Sequence, residues 1–198
     1  MNLAPRLNRR EVVTALLADR GDLLVVAGLG ATAWDVASVE DHPLDFPLWG
    51  AMGGAAMVGL GLAVAQPSRK VLVITGDGEM LMGMGSLATI ATARPRNLRM
   101  VVIDNECYAE TGRQRTSTAF GADIAAIALA CGFPHALTVR EAEEIESLRT
   151  DIHQLDDLFL AVIKVVLSDD PKALPPRDGA YLKNRMRAAL LGPQAVLE

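Results

Sequence analysis

The sequence predicts an α/β fold in which helices cover both faces of a mostly parallel sheet, a three-layer αβα arrangement. Short apolar runs alternate along the chain with segments of helical periodicity. Runs that are apolar on both faces are typical of parallel strands, because helices cover both sides of such a sheet. The chain has 198 residues, of which 51% are hydrophobic and only 4% aromatic. This length and composition suit one domain with an aliphatic core.

The elements are predicted in chain order from their periodicity and from the residues that begin them. Asn8-Arg9-Arg10-Glu11 has the form of a capping box and precedes apolar residues at helical spacing, which predicts a first helix over 9–19. A second capping-box pattern, Thr138-Val139-Arg140-Glu141, predicts a helix over 139–152. The other helices are predicted over 31–39, 53–66, 85–93, 122–130 and 181–191, and the strands over 23–27, 71–75, 100–103 and 158–166.

These elements predict one domain over residues 1–170 and a proline-rich tail with a short helix over 171–198. The stretch 46–66 carries no charge and is about long enough to cross a bilayer. It contains Pro47 and five glycines, however, so a buried and closely packed helix is favoured over a membrane span.

Charge and cysteine content exclude several classes of protein. The net charge is −5, and no long basic block occurs, which argues against nucleic acid as a partner because phosphate neutralisation needs clustered Lys and Arg. Cys107 and Cys131 make no disulfide framework, and the N-terminal residues do not resemble a secretory segment. A cytoplasmic protein is expected.

Small oxygen-bearing residues follow two of the predicted strands. Gly76-Asp77-Gly78 comes directly after one strand, and Asp104-Asn105 after the next. The carboxyl ends of parallel strands meet at one edge of the sheet, where ligands of such folds bind. One carboxylate, one amide and a backbone carbonyl form a partial oxygen shell of the kind that Mg²⁺ completes with phosphate and water. The residues therefore predict a phosphate or diphosphate bridged by Mg²⁺.

The spacing of these residues resembles a family motif. Gly76-Asp77-Gly78, then 26 residues (79–104), then Asn105 is similar to the diphosphate-binding motif of thiamine diphosphate enzymes. The run LWGAMGGAAMVGLGLAVAQPSRKVLVITGDG resembles the segment that precedes the motif in decarboxylases of this family. GEMLMGMGSLATIA and TGRQRTST resemble the subgroup of phosphonopyruvate and sulfopyruvate decarboxylases. The resemblance extends over about residues 24–166 and implies the thiamine diphosphate-binding fold.

The resemblance also implies roles for individual residues. Asp77, the Asn105 side chain and the Cys107 carbonyl would bind Mg²⁺. Met52 would lie under the thiazolium ring of the cofactor, although ordinary core packing is an alternative for this residue. The implied contacts to the diphosphate come from two places. The loop after the first strand contributes Gly30, Ala31 and Thr32, and the motif segments contribute Gly76 and backbone groups of Gly78, Glu79, Tyr108 and Ala109.

The chain lacks a counterpart of one half of such an enzyme. In the family, a glutamate on a separate pyrimidine-binding domain activates the cofactor, and nothing in this sequence resembles that domain. The resemblance therefore implies a diphosphate-binding subunit of a two-subunit 2-oxo acid decarboxylase, with a pyrimidine-binding α subunit as its partner. Three positions depart from the subgroup: Gly54 where His is frequent, Glu106 where Gly is usual and Glu110 where a small residue is common.

The resemblance to the sulfopyruvate and phosphonopyruvate subgroup implies a short 2-oxo acid with a second anionic group. Arg113 and Arg115 would meet that anion, and Gln114 and Thr116 would hydrogen-bond it. The alternative is that both arginines pair with nearby surface acids, namely Glu106, Glu110 or Asp123.

Two other functions fit parts of the sequence. The loop 28–33 is near the dinucleotide pattern G-x-G-x-x-G/A, which would suit a nicotinamide oxidoreductase. That function needs an acid at the end of the next strand, and Asp45 is near the required distance but lies between Pro43 and Pro47, which break the chain, and not after a clear apolar strand. A scaffold that has lost catalysis is the third possibility, against which the retained Asp77 and Asn105 argue.

Overall fold

A computed structural model describes residues 7–196 of the chain. The strands are β1 (Leu24–Ala27), β2 (Asp45–Pro47), β3 (Val71–Gly76), β4 (Leu98–Asp104), β5 (Cys107–Tyr108), β6 (Gln114–Arg115), β7 (His135–Val139) and β8 (Phe159–Lys164). The main sheet has six strands in the order β2-β1-β3-β4-β8-β7, and every neighbouring pair is parallel. A separate antiparallel pair, β5 and β6, forms a hairpin beyond the end of β4.

Helices cover both faces of this sheet, as predicted. They are α1 (Arg9–Leu16), α2 (Ala31–Val39), α3 (Ala55–Ala65), α4 (Asp77–Met82), α5 (Ser86–Ala93), α6 (Ile124–Cys131), α7 (Ile145–Gln154) and α8 (Gly179–Leu191). One buried cluster joins α1, α2 and α7 to one face, and a second joins α3, α5 and α6 to the other. Alternate residues of each central strand belong to the two clusters; Val25 faces the first and Val26 the second. The three-layer αβα prediction is confirmed.

The first helix begins as predicted, because Oδ1 of Asn8 accepts hydrogen bonds from the backbone N–H groups of Arg10 and Glu11 at 2.8 and 3.2 Å. The helix ends at Leu16, short of the predicted end at 19. The helices predicted over 53–66, 122–130 and 181–191 are present with ends moved by one or two residues.

The helix predicted over 139–152 is wrong in its first turns. Thr138 and Val139 instead belong to β7, where their β-branched side chains suit a strand that pairs with β8. The capping box lies three residues later, between Glu141 and Glu144, and it precedes a short 3₁₀ turn and then α7.

A strand over Asp45–Pro47 was not predicted, because Pro47 argued against one. The strand β2 lies at the edge of the sheet, where proline is tolerated.

The uncharged stretch 46–66 contains the 11-residue helix α3, which packs on β3. Within residues 7–196, no helix has both the length and the apolar character that a membrane crossing requires.

Beyond β8, the chain passes over α1 and α2, and α8 then packs on β2. The predicted domain boundary at residue 170 stays a prediction.

We expect Gly59→Ala and Gly61→Ala, two nearby substitutions in α3, to change stability in opposite directions. A Cβ at Gly59 would lie 2.1 Å from Cγ2 of Val73, whereas a Cβ at Gly61 would meet no atom within 4 Å. Gly59→Ala should lower the free energy of unfolding by about 1–3 kcal/mol through overpacking. Gly61→Ala should raise it by about 0.5–1 kcal/mol, because alanine favours the helix. Chemical denaturation checks both values, and equal effects at the two positions would contradict the close packing of α3 on β3.

Candidate functional site

The carboxyl ends of β1, β3 and β4 open into one cavity of about 300 Å³, within the size range of small-molecule sites. All the predicted cofactor and metal residues except Gly30 line it: Ala31, Thr32, Met52, Gly76, Asp77, Gly78, Glu79, Asn105, Cys107, Tyr108 and Ala109. The predicted substrate residues 113–116 do not form its wall. The fold thus brings together segments that are up to about 80 residues apart in sequence.

Asp77 begins α4 at the end of β3, and its side chain is buried. Its Oδ2 accepts a hydrogen bond from the Thr116 hydroxyl at 2.6 Å and a longer one from Thr118 at 3.4 Å. Burial raises the pKa of Asp77 to about 6; the Thr116 hydrogen bond opposes this rise and the charge of Asp104 adds to it. A buried carboxylate held in this way is a site at which a divalent cation would compensate the negative charge.

Asn105 follows β4 and lies in a tight turn. Its Oδ1 accepts a hydrogen bond from the N–H of Cys107 at 2.9 Å, and Oδ1 of Asp104 accepts one from the N–H of Glu106 at 3.0 Å. Glu106 has a φ of 62°, in the left-handed region that glycine adopts most readily. This backbone conformation explains why glycine is usual at this position in the family that the sequence resembles.

The donor set differs from that of a histidine or cysteine metal centre. Among residues 7–196, no group of three or more His, Cys, Asp or Glu side chains is arranged to hold a metal. The predicted set instead combines the Asp77 carboxylate, the Asn105 amide and the Cys107 carbonyl, which are all hard oxygen donors. Such a set fits Mg²⁺ when phosphate and water supply the remaining ligands.

The two motif glycines have different surroundings. A Cβ at Gly78 would lie 2.5 Å from Cε1 of Tyr108, so this glycine permits the Tyr108 ring to pack against the start of α4. A Cβ at Gly76 would meet no protein atom within 4 Å, although Gly76 lines the cavity. A side chain at Gly76 would therefore project into open space beside the cavity and not against protein, so glycine is not required here by packing.

Met52 lies in the loop before α3, lines the cavity and is 39% exposed, so the core-packing alternative does not describe its surroundings. Arg9 also lines the cavity, which the sequence did not indicate because Arg9 was interpreted only as part of a capping box. Its buried guanidinium forms an ion pair with Asp35 and donates to the carbonyl of Ala31 at 3.2 Å. Arg9 therefore fixes the start of α2 beside the cavity.

Glu79 has a structural role that the sequence did not predict. Its carboxylate is buried and accepts hydrogen bonds from the Thr75 hydroxyl at 3.0 Å and from the N–H of Ala55 at 3.4 Å. The backbone N–H groups of Leu29 and Gly53 also interact with the Glu79 carboxylate and stabilise its charged form. Burial raises the pKa of Glu79, and these hydrogen bonds oppose the rise. One carboxylate thus joins the ends of β1 and β3 to the loop that carries Met52.

Known proteins can now be compared with this geometry. A sequence model of the family described as thiamine pyrophosphate enzyme, C-terminal TPP binding domain, matches residues 28–160. The chain belongs to this family. The sulfopyruvate decarboxylase subunit beta of Methanothermobacter thermautotrophicus is 42% identical over 128 residues, which are 65% of this chain and 66% of that subunit. The phosphonopyruvate decarboxylase of Streptomyces viridochromogenes is 37% identical over 171 residues, which are 85% of this chain and 39% of that protein.

A solved structure shows the same fold. The benzoylformate decarboxylase of Polynucleobacter necessarius superposes with a TM-score of 0.67 at 19% identity, over 83% of this chain and 34% of that chain. The predicted family and the predicted fold are therefore confirmed. The chain spans about two thirds of the length of the first relative and well under half of the other two proteins.

The predicted substrate residues of this thiamine pyrophosphate enzyme domain lie in and after the β5–β6 hairpin, outside the cavity. Arg113 pairs with Asp169 at 2.6 Å, an acid that the sequence did not suggest. Arg115 lies 3.8 Å from Glu106, as the surface-pair alternative expected. Thr116 is buried, and its hydroxyl faces Asp77 rather than the cavity. A substrate role for residues 113–116 stays a prediction.

The dinucleotide alternative lacks its acidic residue at the required place. Asp45 begins β2 rather than ending it, so its carboxylate is at the wrong end of the strand for a ribose at the carboxyl edge. The side chain is buried and forms an ion pair with Arg20 at 2.6 Å.

We expect Glu79→Ala to lower the free energy of unfolding by about 3 kcal/mol or more, because it leaves several buried donors without an acceptor. Glu79→Gln keeps one acceptor oxygen and should cost less. Glu143 is exposed, and Glu143→Ala should change stability by less than about 0.5 kcal/mol. Urea denaturation of the three variants measures the differences. A Glu79→Ala value close to that of Glu143→Ala would refute the role of Glu79 in joining the loops.

Proposed function

We propose that the chain is the diphosphate-binding subunit of a thiamine diphosphate-dependent 2-oxo acid decarboxylase that acts on sulfopyruvate or phosphonopyruvate. The observation that carries the proposal is the convergence of Asp77 and Asn105 on one cavity at the ends of neighbouring strands. The decarboxylase relatives named above support the reaction class. The cytoplasmic location expected from the cysteine content stays a prediction.

In this proposal, Asp77, the Asn105 amide and the Cys107 carbonyl hold Mg²⁺, and the metal in turn holds the diphosphate. Gly76, at whose Cβ position no protein atom lies within 4 Å, leaves room for the diphosphate. Met52, with its exposed side chain, supports the thiazolium ring. The chemistry that thiamine diphosphate supplies when bound is stabilisation of a carbanion.

The glutamate that activates the cofactor is proposed to come from a pyrimidine-binding α subunit. Of the described residues, Glu79 and Glu110 are the glutamates that line the cavity. The Glu79 carboxylate is occupied by backbone donors, and the Glu110 side chain lies against Gly30 on the diphosphate side. Neither carboxylate is therefore proposed as the group that activates the cofactor.

An exposed apolar surface beside the cavity fits this partner. It consists of Trp49, Met52, Met57, Val64 and Met82, which are 38–65% exposed and lie on α3, at the end of α4 and in the loop before α3. Large apolar side chains left exposed near one another along the chain are typical of protein–protein contacts. The surface is proposed to pack against the α subunit, so that the cofactor lies between the two chains.

We expect binding of thiamine diphosphate to require Mg²⁺ and to depend on Asp77. Asp77→Ala removes a metal ligand and leaves the diphosphate charge uncompensated, so affinity should fall by at least about 100-fold. Asp156 is an exposed acid at the opposite edge of the sheet, and Asp156→Asn should leave affinity unchanged. Calorimetric titration of the assembled enzyme, with and without Mg²⁺, gives the affinities. Equal affinity of the Asp77→Ala variant and the wild type would remove the basis for the metal assignment, and no binding to either would favour a scaffold.

We expect the two-chain enzyme to prefer dianionic 2-oxo acids and either chain alone to be inactive. The preference for sulfopyruvate and phosphonopyruvate over pyruvate and benzoylformate should be about tenfold or more in kcat/KM, or about 1.4 kcal/mol. Arg113→Ala and Arg115→Ala should reduce that preference, if these arginines exchange their surface partners for the substrate anion. Steady-state kinetics on the four acids measures it. A tenfold preference for the neutral-tailed acids contradicts the substrate class, and an unchanged ratio in both variants contradicts only the assignment of the arginines.

A further inference from the structure

Lys164, the last residue of β8, contacts both carboxylates that flank Asn105. Its Nζ lies 2.7 Å from Oδ2 of Asp104 and 2.8 Å from Oε1 of Glu106. The parallel register pairs Asp104 with Lys164, so the ladder between β4 and β8 fixes the first of these contacts. The side chains of Lys164 and Asp104 are only 10% and 2% exposed. Loss of either partner would therefore leave an uncompensated charge in a buried place.

The turn that Lys164 contacts contains one residue, Glu106, in a disfavoured backbone conformation. Glu106 has a φ of 62°, which costs free energy for a residue with a side chain. The turn is held by the hydrogen bond from the N–H of Glu106 to Asp104 and by that from the N–H of Cys107 to Asn105. Lys164 binds the side chains on both sides of Asn105 and so restrains the turn from outside.

The same ion pair is connected to Asp77. The Thr118 hydroxyl lies 2.8 Å from Oδ1 of Asp104 and 3.4 Å from Oδ2 of Asp77. Asp104 is therefore held between Lys164 on one side and Thr118 on the other. Asp77 thus lies next to Thr118, which contacts Asp104, and Asn105 lies between Asp104 and Glu106 in the chain. Lys164 contacts both of these carboxylates, so it is connected to both side chains proposed as magnesium ligands.

Lys164 does not line the cavity of the proposed cofactor site; it lies behind that site, in a polar cavity shared with Arg115 and Arg140. Burial lowers the pKa of Lys164, but hydrogen bonds to Asp104 and Glu106 and the charges of those acids outweigh burial and raise it overall. The ammonium group is therefore charged and balances two carboxylates that stand beside a cation site.

We propose that Lys164 is a positioning residue for the magnesium site. By holding Asp104 and Glu106, it fixes the turn that presents Asn105 and keeps two additional carboxylates from coordinating the metal in place of the proposed ligands. This inference rests on the proposed function. Residues that orient metal ligands from behind in this way typically affect metal affinity by about 10- to 100-fold.

The test is the Mg²⁺ dependence of thiamine diphosphate binding by the assembled enzyme, measured by calorimetry over a series of Mg²⁺ concentrations. Lys164→Met should raise the half-saturating Mg²⁺ concentration by about tenfold or more. Arg99 provides the matched control, because it is a fully buried cation on β4 that lies toward the opposite edge of the sheet and donates to the carbonyl of Arg96. Arg99→Met should leave the half-saturating concentration within about twofold of the wild type.

Two further variants separate positioning from a general loss of structure. Asp104→Asn combined with Lys164→Met removes both buried charges while it keeps an acceptor for Thr118 and for the N–H of Glu106, and it should recover a large part of the lost Mg²⁺ affinity. Glu106→Gln removes one lysine contact at a half-exposed side chain and should raise the half-saturating concentration by about threefold, even if Lys164→Met does not fold.

The outcomes distinguish the two levels of the proposal. If the wild type binds thiamine diphosphate without any dependence on Mg²⁺, or does not bind it, both the proposed function and the role of Lys164 are overturned. The second outcome is that wild-type binding depends on Mg²⁺, but the half-saturating Mg²⁺ concentrations of Lys164→Met and Glu106→Gln lie within about twofold of the wild-type value. In that case only the role of Lys164 is overturned. Equal shifts in Lys164→Met and Arg99→Met would also overturn it, since they would indicate a general effect of removing a buried cation.

Discussion

The parallel pairing of β3 with β4 is the contact on which the site depends. Its register places Gly76 beside Ile103, so Asp77 and Asp104 leave the sheet side by side and Asn105 follows directly. The strands that enforce this register are buried on both faces, and their side chains belong to two separate helix–sheet clusters. Because a one-residue slip would turn every one of these side chains to the other face, the core fixes the positions of the polar residues at the strand ends.

The arrangement of charge at this edge follows from the same constraint. Pairing of the strands brings Asp77 close to Asp104, and burial makes both charges costly. Thr116 and Thr118 donate to these carboxylates, and Lys164 balances Asp104 from the neighbouring strand. Asp77 has the two threonine hydroxyls beside its carboxylate, and burial, together with the nearby charge of Asp104, raises the pKa of Asp77 to about 6. A divalent cation at Asp77 would compensate its negative charge, which links the packing of the sheet to the proposed binding of Mg²⁺.

The central part of the fold and of the site could be predicted from the sequence, because it depends on local patterns. Continuous apolar runs identify β3 and β4, and the rule that parallel strands bind ligands at their carboxyl ends places Asp77 and Asn105 together. The edge of the sheet was harder to predict. At Thr138 and Val139, a capping-box pattern competed with β propensity, and pairing with β8 decided for the strand.

Other residues at the site escaped prediction because long-range contacts determine their roles. Glu79 was expected to act only through its backbone, yet its side chain joins loops that are remote in sequence. Lys164 and Glu106 are 58 residues apart, and Arg113 and Asp169 are 56 apart. No periodicity or motif records such pairs, since they form only when the strand order of the sheet is fixed.

A crystal structure of the assembled two-chain enzyme with Mg²⁺ and thiamine diphosphate tests the central claim most directly. The carboxylate of Asp77, the amide oxygen of Asn105 and the carbonyl of Cys107 should lie about 2.0–2.2 Å from one metal ion, as Mg²⁺ requires. The diphosphate should lie against Gly76 and Gly78, and the pyrimidine ring should be directed toward the partner chain. A diphosphate bound away from the ends of β3 and β4, or a metal ion that is not coordinated by Asp77, would contradict the proposed site.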